Sequence, residues 1–324
     1  MSPVEGLLLG AFCLLLVPNT VFNTLVCMVV RRSKRAQTPM NNLIMSLAMS
    51  DIFIGATIFP RHIINNAFVH PGGKQGSALC KLVTGGGLLW ISVTASGLLL
   101  TAVAFERFFA IVLPHKKRLR ITNRKLRWIV SSVWMFAIAS NLPSMLVMEY
   151  NEDLNFCTEV WPVWVSPKAY VSVMFVVGTS SVLFMYILYS VVLLTFWKKR
   201  HTTTEMSQCA RLRARTKVTK MLILMTVIHT VCRTPNYTFY LLSYINPDVQ
   251  YGSASYSSTV ALILLNSTSH PFLLCWQMES FRKGVWQILQ SLVCRHRVRS
   301  VAYSGRYQVR NSTQMTLGDA VSYI

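Results

Sequence analysis

The sequence predicts an all-α fold, a seven-transmembrane helix bundle with a short amphipathic surface helix after the last span, and three observations carry that prediction. The composition is 52% hydrophobic and only 13% charged over 324 residues, too apolar for a water-soluble domain of this size. Seven separate runs reach the roughly 20 apolar residues that a helix needs to cross a bilayer. Lys and Arg crowd into alternate connecting segments, as in multi-pass membrane proteins.

The first run, Gly6 to Val30, follows a short N-terminal segment, 1–5. It is too long for a signal-peptide core and has no small-residue cleavage site behind it, so it reads as a retained helix. Asn41 to Ile64 forms the second span, and Cys80 to Leu113 the third, with glycines at 85, 86 and 87 that weaken a regular helix. Leu126 to Met148, Lys168 to Trp197, Val218 to Tyr244 and Tyr256 to Gln277 complete the set. After the last span, Phe281, Val285, Ile288, Leu289 and Leu292 recur at helical spacing beside basic residues, the pattern of a helix lying on the inner membrane surface. Cys294 at its end is a lipidation candidate. Residues 295–324 are polar and lack periodicity, so they are expected to be a disordered cytoplasmic tail. The bundle with its surface helix therefore runs over 6–294, and no internal repeat divides it.

The net charge of +21 raises nucleic acid as a partner, but its distribution argues against it. Of the 32 basic residues, 26 lie in four segments, 31–35, 116–127, 198–220 and beyond 277. Those segments are expected to face the cytoplasm, which puts the N-terminus outside the plasma membrane. Glu5, Glu149, Glu152, Asp153, Glu159 and Asp248 fall on the opposite side. Cys80 and Cys157 also map to the outer side, where disulfides persist, and are expected to be bridged. Neither a metal-ligand spacing nor a nucleophile and base arrangement is visible, so no cofactor, metal or enzymatic activity is expected.

Particular residues resemble those of rhodopsin-like (class A) G-protein-coupled receptors, from about residue 10 to residue 294. NTLVCMVV (23–30) is similar to the family's first-span asparagine motif, and NLIMSLAMSD (42–51) ends on its buried aspartate, Asp51. ERFFAIVLP (106–114) looks like its acidic-arginine-aromatic motif. Trp134, Pro143 and Tyr189 fit spans four and five, and KVTKMLI (217–223) resembles the inner start of the sixth span in peptide receptors. The departures lie at switch positions. Arg233 stands for the usual tryptophan, His229 for a phenylalanine, His270 for an asparagine, Leu274 for a tyrosine and Ser181 for a proline.

The resemblance implies a receptor that passes agonist binding to a heterotrimeric G protein, with Glu106, Arg107 and Tyr189 at the coupling end and arrestin as a further partner. It disfavours amine and retinal ligands, because Leu89 replaces an aspartate and the last span has no lysine. A peptide remains, a basic neuropeptide given the acidic outer loop. Trp90, Asn236, Tyr237, Tyr240, Glu152, Asp153 and Glu159 are the expected ligand-binding residues, with Tyr244 beside them. The alternatives are a non-coupling or decoy protein of the same architecture and, remotely, a transporter.

Arg233 poses its own question. A charge at the bilayer centre costs ~2.5–3.5 kcal/mol by insertion scales, so it is expected to face the bundle interior with a partner. Asp51 is the one carboxylate within the spans away from the inner interface. The family binds a sodium ion at the matching aspartate, helped by positions matching Ser96, Asn266 and His270. The expectation is that Arg233 takes that ion's place against Asp51, directly or through water, within a central network of Asp51, Ser96, His229, Arg233, Asn266 and His270. The alternative is a guanidinium satisfied locally in a wet pocket.

Overall fold

The structure, a computed structural model, describes residues 3–32, 37–64, 69–153, 156–202, 206–279 and 281–291. Seven long helices account for the seven apolar runs: α1 (Pro3–Arg32), α2 (Pro39–Ile58), α4 (Gly87–Ile111), α5 (Asn123–Leu146), α6 (Pro167–Thr202), α7 (Met206–Ile245) and α8 (Ala254–Gln277). A short helix, α3 (Gly73–Leu79), precedes α4. Six spans are long and apolar enough to cross a membrane by length and composition. Helix α7 falls outside that set although it is 40 residues long. It buries His229, Arg233 and Asn236, polar side chains that lower its hydropathy.

Local chemistry sets the helix starts. Thr38 caps α2 by accepting the Asn41 N–H, with Pro39 in the first turn, where its missing N–H has no cost. Thr122 and Ser253 cap α5 and α8 in the same way. Helix α1 begins at Pro3, inside the stretch 1–5 expected to be a free segment, because Glu5 in the first turn complements the helix dipole.

Helix α4 is the central post, packed by α2, α5 and α6, while α8 packs on both α1 and α7. Phe12, Ile54, Ile58, Leu89, Val93, Tyr256, Val260, Ile263 and Leu264 form one buried cluster that joins α1, α2, α4 and α8.

Two features depart from the sequence reading. The third span is not continuous from Cys80: a wide π-helical turn, Cys80–Thr84, follows α3, and the chain then breaks at Gly85 and Gly86 before α4 starts. Gly86 takes φ +86°, a left-handed value that favours glycine, and a Cβ there would lie 2.9 Å from Nη1 of Arg61. A Cβ on Gly87 would lie 2.6 Å from Met145.

The second departure is a β-hairpin added to an all-α bundle. Strand β1 (Met148–Asn151) pairs antiparallel with β2 (Phe156–Glu159), Tyr150 opposite Cys157 and Met148 opposite Glu159. The expected Cys80–Cys157 disulfide ties β2 to the π-helical turn. A second unit begins at Glu279, and its described part is a helix over 281–291, in the segment expected to be the surface helix. Cys294 and the expected tail, 295–324, lie outside the described residues.

Candidate functional site

At the hairpin end of the bundle, β2 places a carboxylate among neutral donors. Glu159 accepts the Tyr240 hydroxyl at 2.9 Å, the Trp161 Nε1–H at 2.9 Å and the Tyr244 hydroxyl. Tyr240 and Tyr244 lie one turn apart on α7, so one helix face presents both phenols. Among the described residues no cation contacts the carboxylate. Burial holds its carboxyl above the usual carboxylate range, with the three donors and the charge of Arg61 pulling the other way.

Arg61 is the residue that sequence reasoning missed. It lies in the π-helical turn Phe59–Ile63 that continues α2, and it is 3% exposed. Its Nη1 donates to the Thr84 carbonyl at 3.2 Å and its Nη2 to the Tyr251 hydroxyl at 3.2 Å. The guanidinium carbon sits 4.8 Å from the centre of the Phe156 ring, within cation–π range. Tyr251, in the connection between α7 and α8, accepts in turn from the Tyr256 hydroxyl at 3.3 Å. Gly252 beside it has φ +85°, and a Cβ there would stand 2.8 Å from the Phe156 ring, so a bare backbone lets that ring settle over Arg61. A charge inside an apolar run marked Arg233 in the sequence, and the same signal marks Arg61.

The other expected ligand-binding residues are not gathered with Glu159 and Tyr240. Asn236 donates to Thr259 Oγ1 at 2.9 Å, clasping α7 to α8. Tyr237 faces α6, its ring 2.9 Å from where a Cβ on Gly178 would be. Trp90 packs on the cluster of Phe12 and Tyr256. Glu152 and Asp153 are exposed at the hairpin turn, where Glu152 accepts the Gly73 N–H at 3.1 Å. Glu152 also borders a groove of about 590 Å³ lined by Lys74, Lys81 and Glu149.

Deeper in the bundle, Asp51 is fully buried and both its oxygens are engaged. Ser96 Oγ donates to Oδ1 at 2.9 Å, and His270 Nδ1 stands 2.7 Å from Oδ2. Of the pairing with Asp51 expected directly or through water, Arg233 does not make the direct form. It is 1% exposed, and among the described residues none of its three nitrogens has a hydrogen-bond partner, although Tyr237 acts on it electrostatically. Asp51 remains within electrostatic range of it. Both Asp51 oxygens instead face other partners, Ser96 on α4 and His270 on α8. His229 Nδ1, both polar side-chain atoms of Asn266 and His270 Nε2 are also unpartnered. His229 packs against α4 at Gly97, where an added Cβ would lie 3.5 Å from its Cε1.

The sodium ion that the resemblance implies does not suit this set. A cation needs free oxygen ligands, and here the second carboxylate oxygen already faces an imidazole nitrogen while a guanidinium supplies a positive charge close by. At the far end of α4, Glu106 and Arg107 form an ion pair. Tyr189 on α6 is buried within electrostatic range of both, its hydroxyl unpartnered.

Comparison with known proteins agrees with this architecture. The family model described as 7 transmembrane receptor (rhodopsin family) matches residues 22–274. Neuropeptide FF receptor 1 of Rattus norvegicus is 26% identical over 324 residues, covering 90% of this chain and 72% of the relative. Neuropeptide FF receptor 2 of Mus musculus is 26% identical, covering 98% and 81%. The substance-P receptor of Homo sapiens is 26% identical, covering 85% and 69%.

Proposed function

Because the chain belongs to the rhodopsin family of seven-transmembrane receptors, we propose that it is a plasma-membrane receptor for an extracellular basic peptide, binding it at the hairpin end and signalling through a heterotrimeric G protein. As a member of that family it is a multi-pass membrane protein and not an enzyme. In this reading the hairpin end faces outward, as the distribution of basic residues indicates, and the Glu106–Arg107 end meets the G protein and arrestin. Membrane lipids contact the basic inner segments.

One observation carries the peptide reading. The Glu159 carboxylate is half-buried and fixed by Tyr240, Tyr244 and Trp161, yet faces no cation among the described residues. A carboxylate already oriented by neutral donors loses little freedom when an ammonium or guanidinium arrives, and its exchange of water for a countercharge favours binding. The relatives named above are peptide receptors by name, which supports the same class.

A second reading, a receptor-shaped protein that binds without coupling, is favoured by the core. Arg233 and His270 stand at the positions through which the family switches. Cells expressing the chain and challenged with a library of basic peptides separate the two. G-protein activation that Glu159→Gln weakens supports the receptor. Peptide binding without activation supports the non-coupling protein, and activation indifferent to Glu159→Gln removes Glu159 from the ligand site.

A further inference from the structure

Around β2 stand two charges of opposite sign, Arg61 buried and Glu159 half-buried, and neither is in an ion pair among the described residues. Phe156 covers Arg61 at one end of the strand, and Glu159 reaches Tyr240 and Tyr244 at the other. Between them stand the rings of Tyr251 and Tyr240, 6.2 Å apart. The charges are held apart by aromatic rings yet act on one another electrostatically, close enough for one short ligand segment to reach both.

Arg61 uses its donors sparingly. Of five N–H groups, it aims two at neutral acceptors, the Thr84 carbonyl and the Tyr251 hydroxyl, and its Nε is buried without a partner. A guanidinium fork matches a carboxylate, and a buried charge that hydrogen-bonds only neutral groups, with Glu159 acting on it from a distance, is costly until an anion reaches it. The fold also makes room for the side chain. Gly86 leaves out a Cβ that would crowd Nη1, and the left-handed turn there places the break in the third span beside Arg61.

We propose that Arg61 is an anion-binding subsite of the ligand pocket, so that the peptide bound here carries a carboxylate within one or two residues of the basic side chain that Glu159 takes. This rests on the peptide-receptor reading and deepens it. The carboxylate is either a free C-terminus or an Asp or Glu side chain next to the basic residue, chemistry that a peptide ending in an uncharged amide and lacking acidic residues does not offer.

Affinity selection tests this directly. The full chain in lipid nanodiscs is incubated with three tetrapeptide libraries, each member bearing one Lys or Arg: free C-terminal acids, C-terminal amides without acidic residues, and C-terminal amides with one Asp or Glu. Retained peptides are read by mass spectrometry. The expected result is retention of carboxylate-bearing peptides roughly tenfold above plain amides, with the first and third libraries telling terminal from side-chain carboxylates. In Arg61→Gln that ratio falls to about one while the need for a basic residue persists. In Arg61→Lys the preference for carboxylates survives. Plain amides retained as well as acids by the unaltered chain overturn the subsite and leave the peptide reading standing, as does an acid preference that survives Arg61→Gln. If no peptide of any library is retained, both readings fall. Should Arg61→Gln fail to fold, the ratio in the unaltered chain and in Arg61→Lys still decides.

Discussion

His270 Nδ1 lies 2.7 Å from Asp51 Oδ2, and Arg233, on the neighbouring helix, hydrogen-bonds neither. The imidazole holds the carboxylate by a direct hydrogen bond, and the guanidinium, buried nearby, is compensated electrostatically by Tyr237 and Asp51 without an ion pair.

That arrangement separates two substitutions. Asp51→Asn removes the negative charge facing both Arg233 and His270, and the loss of one partner from such a buried set costs about 3–5 kcal/mol. Arg233→Met replaces an unpartnered charge with an apolar side chain of similar length and is expected to be neutral or to stabilise by about 1–4 kcal/mol. Thermal unfolding of purified protein checks both. Strong destabilisation by Arg233→Met would mean that the guanidinium holds the core together.

Sodium is expected to leave the thermal stability unchanged. Replacing sodium chloride by N-methylglucamine chloride at constant ionic strength measures this in the unaltered chain. The double variant Arg233→Trp with His270→Asn frees the carboxylate and withdraws the nearby charge, so a sodium-dependent rise in melting temperature is expected there. A rise of equal size in the unaltered chain would refute the engagement of Asp51 by His270.

Glu159 gives opposite pH signatures with and without ligand. Burial raises its folded pKa above the ordinary carboxylate value, so folding takes up a proton between the unfolded and the folded pKa. Its contribution to stability without ligand therefore increases as pH falls through the folded pKa and levels off below the unfolded value, near 4.3. Binding of a basic peptide changes in the other direction, weakening over the same interval as the carboxylate is protonated. Both slopes should vanish in Glu159→Gln. Melting curves and peptide binding across mildly acidic pH provide the comparison.

Gly86→Ala should cost about 1–2 kcal/mol from the left-handed backbone alone, and more through its approach to Arg61. Gly97→Ala is the control, because a Cβ there meets His229 at an ordinary 3.5 Å. Equal melting temperatures for the two variants would contradict the turn at Gly86.

Much of the bundle was legible because length and hydropathy suffice to count spans in a membrane. The polar interior of α7 lowers its hydropathy below that of the other six spans, yet Val218 to Tyr244 still reads in the sequence as a run long and apolar enough to cross a bilayer. The hairpin left no such mark: Met148–Asn151 and Phe156–Glu159 are four residues each, too short for a period-2 pattern to stand out. Glu159 was legible as an acid in the outer loop, and its three donors were not, since two come from a helix more than 80 residues away. Within the core, the sequence named the polar residues without ranking their distances. His270 and Arg233 were both candidates to face Asp51, and only packing decides which arrives.

The clasp between Asn236 and Thr259 fixes where α7 can pivot. From residue 236 back to residue 217 the helix runs about 28 Å at 1.5 Å per residue. With the fulcrum held toward the hairpin end, a tilt of about 10° sweeps the opposite tip through roughly 5 Å. The long arm lies on the side of Arg107, so a modest adjustment beneath the hairpin arrives there magnified.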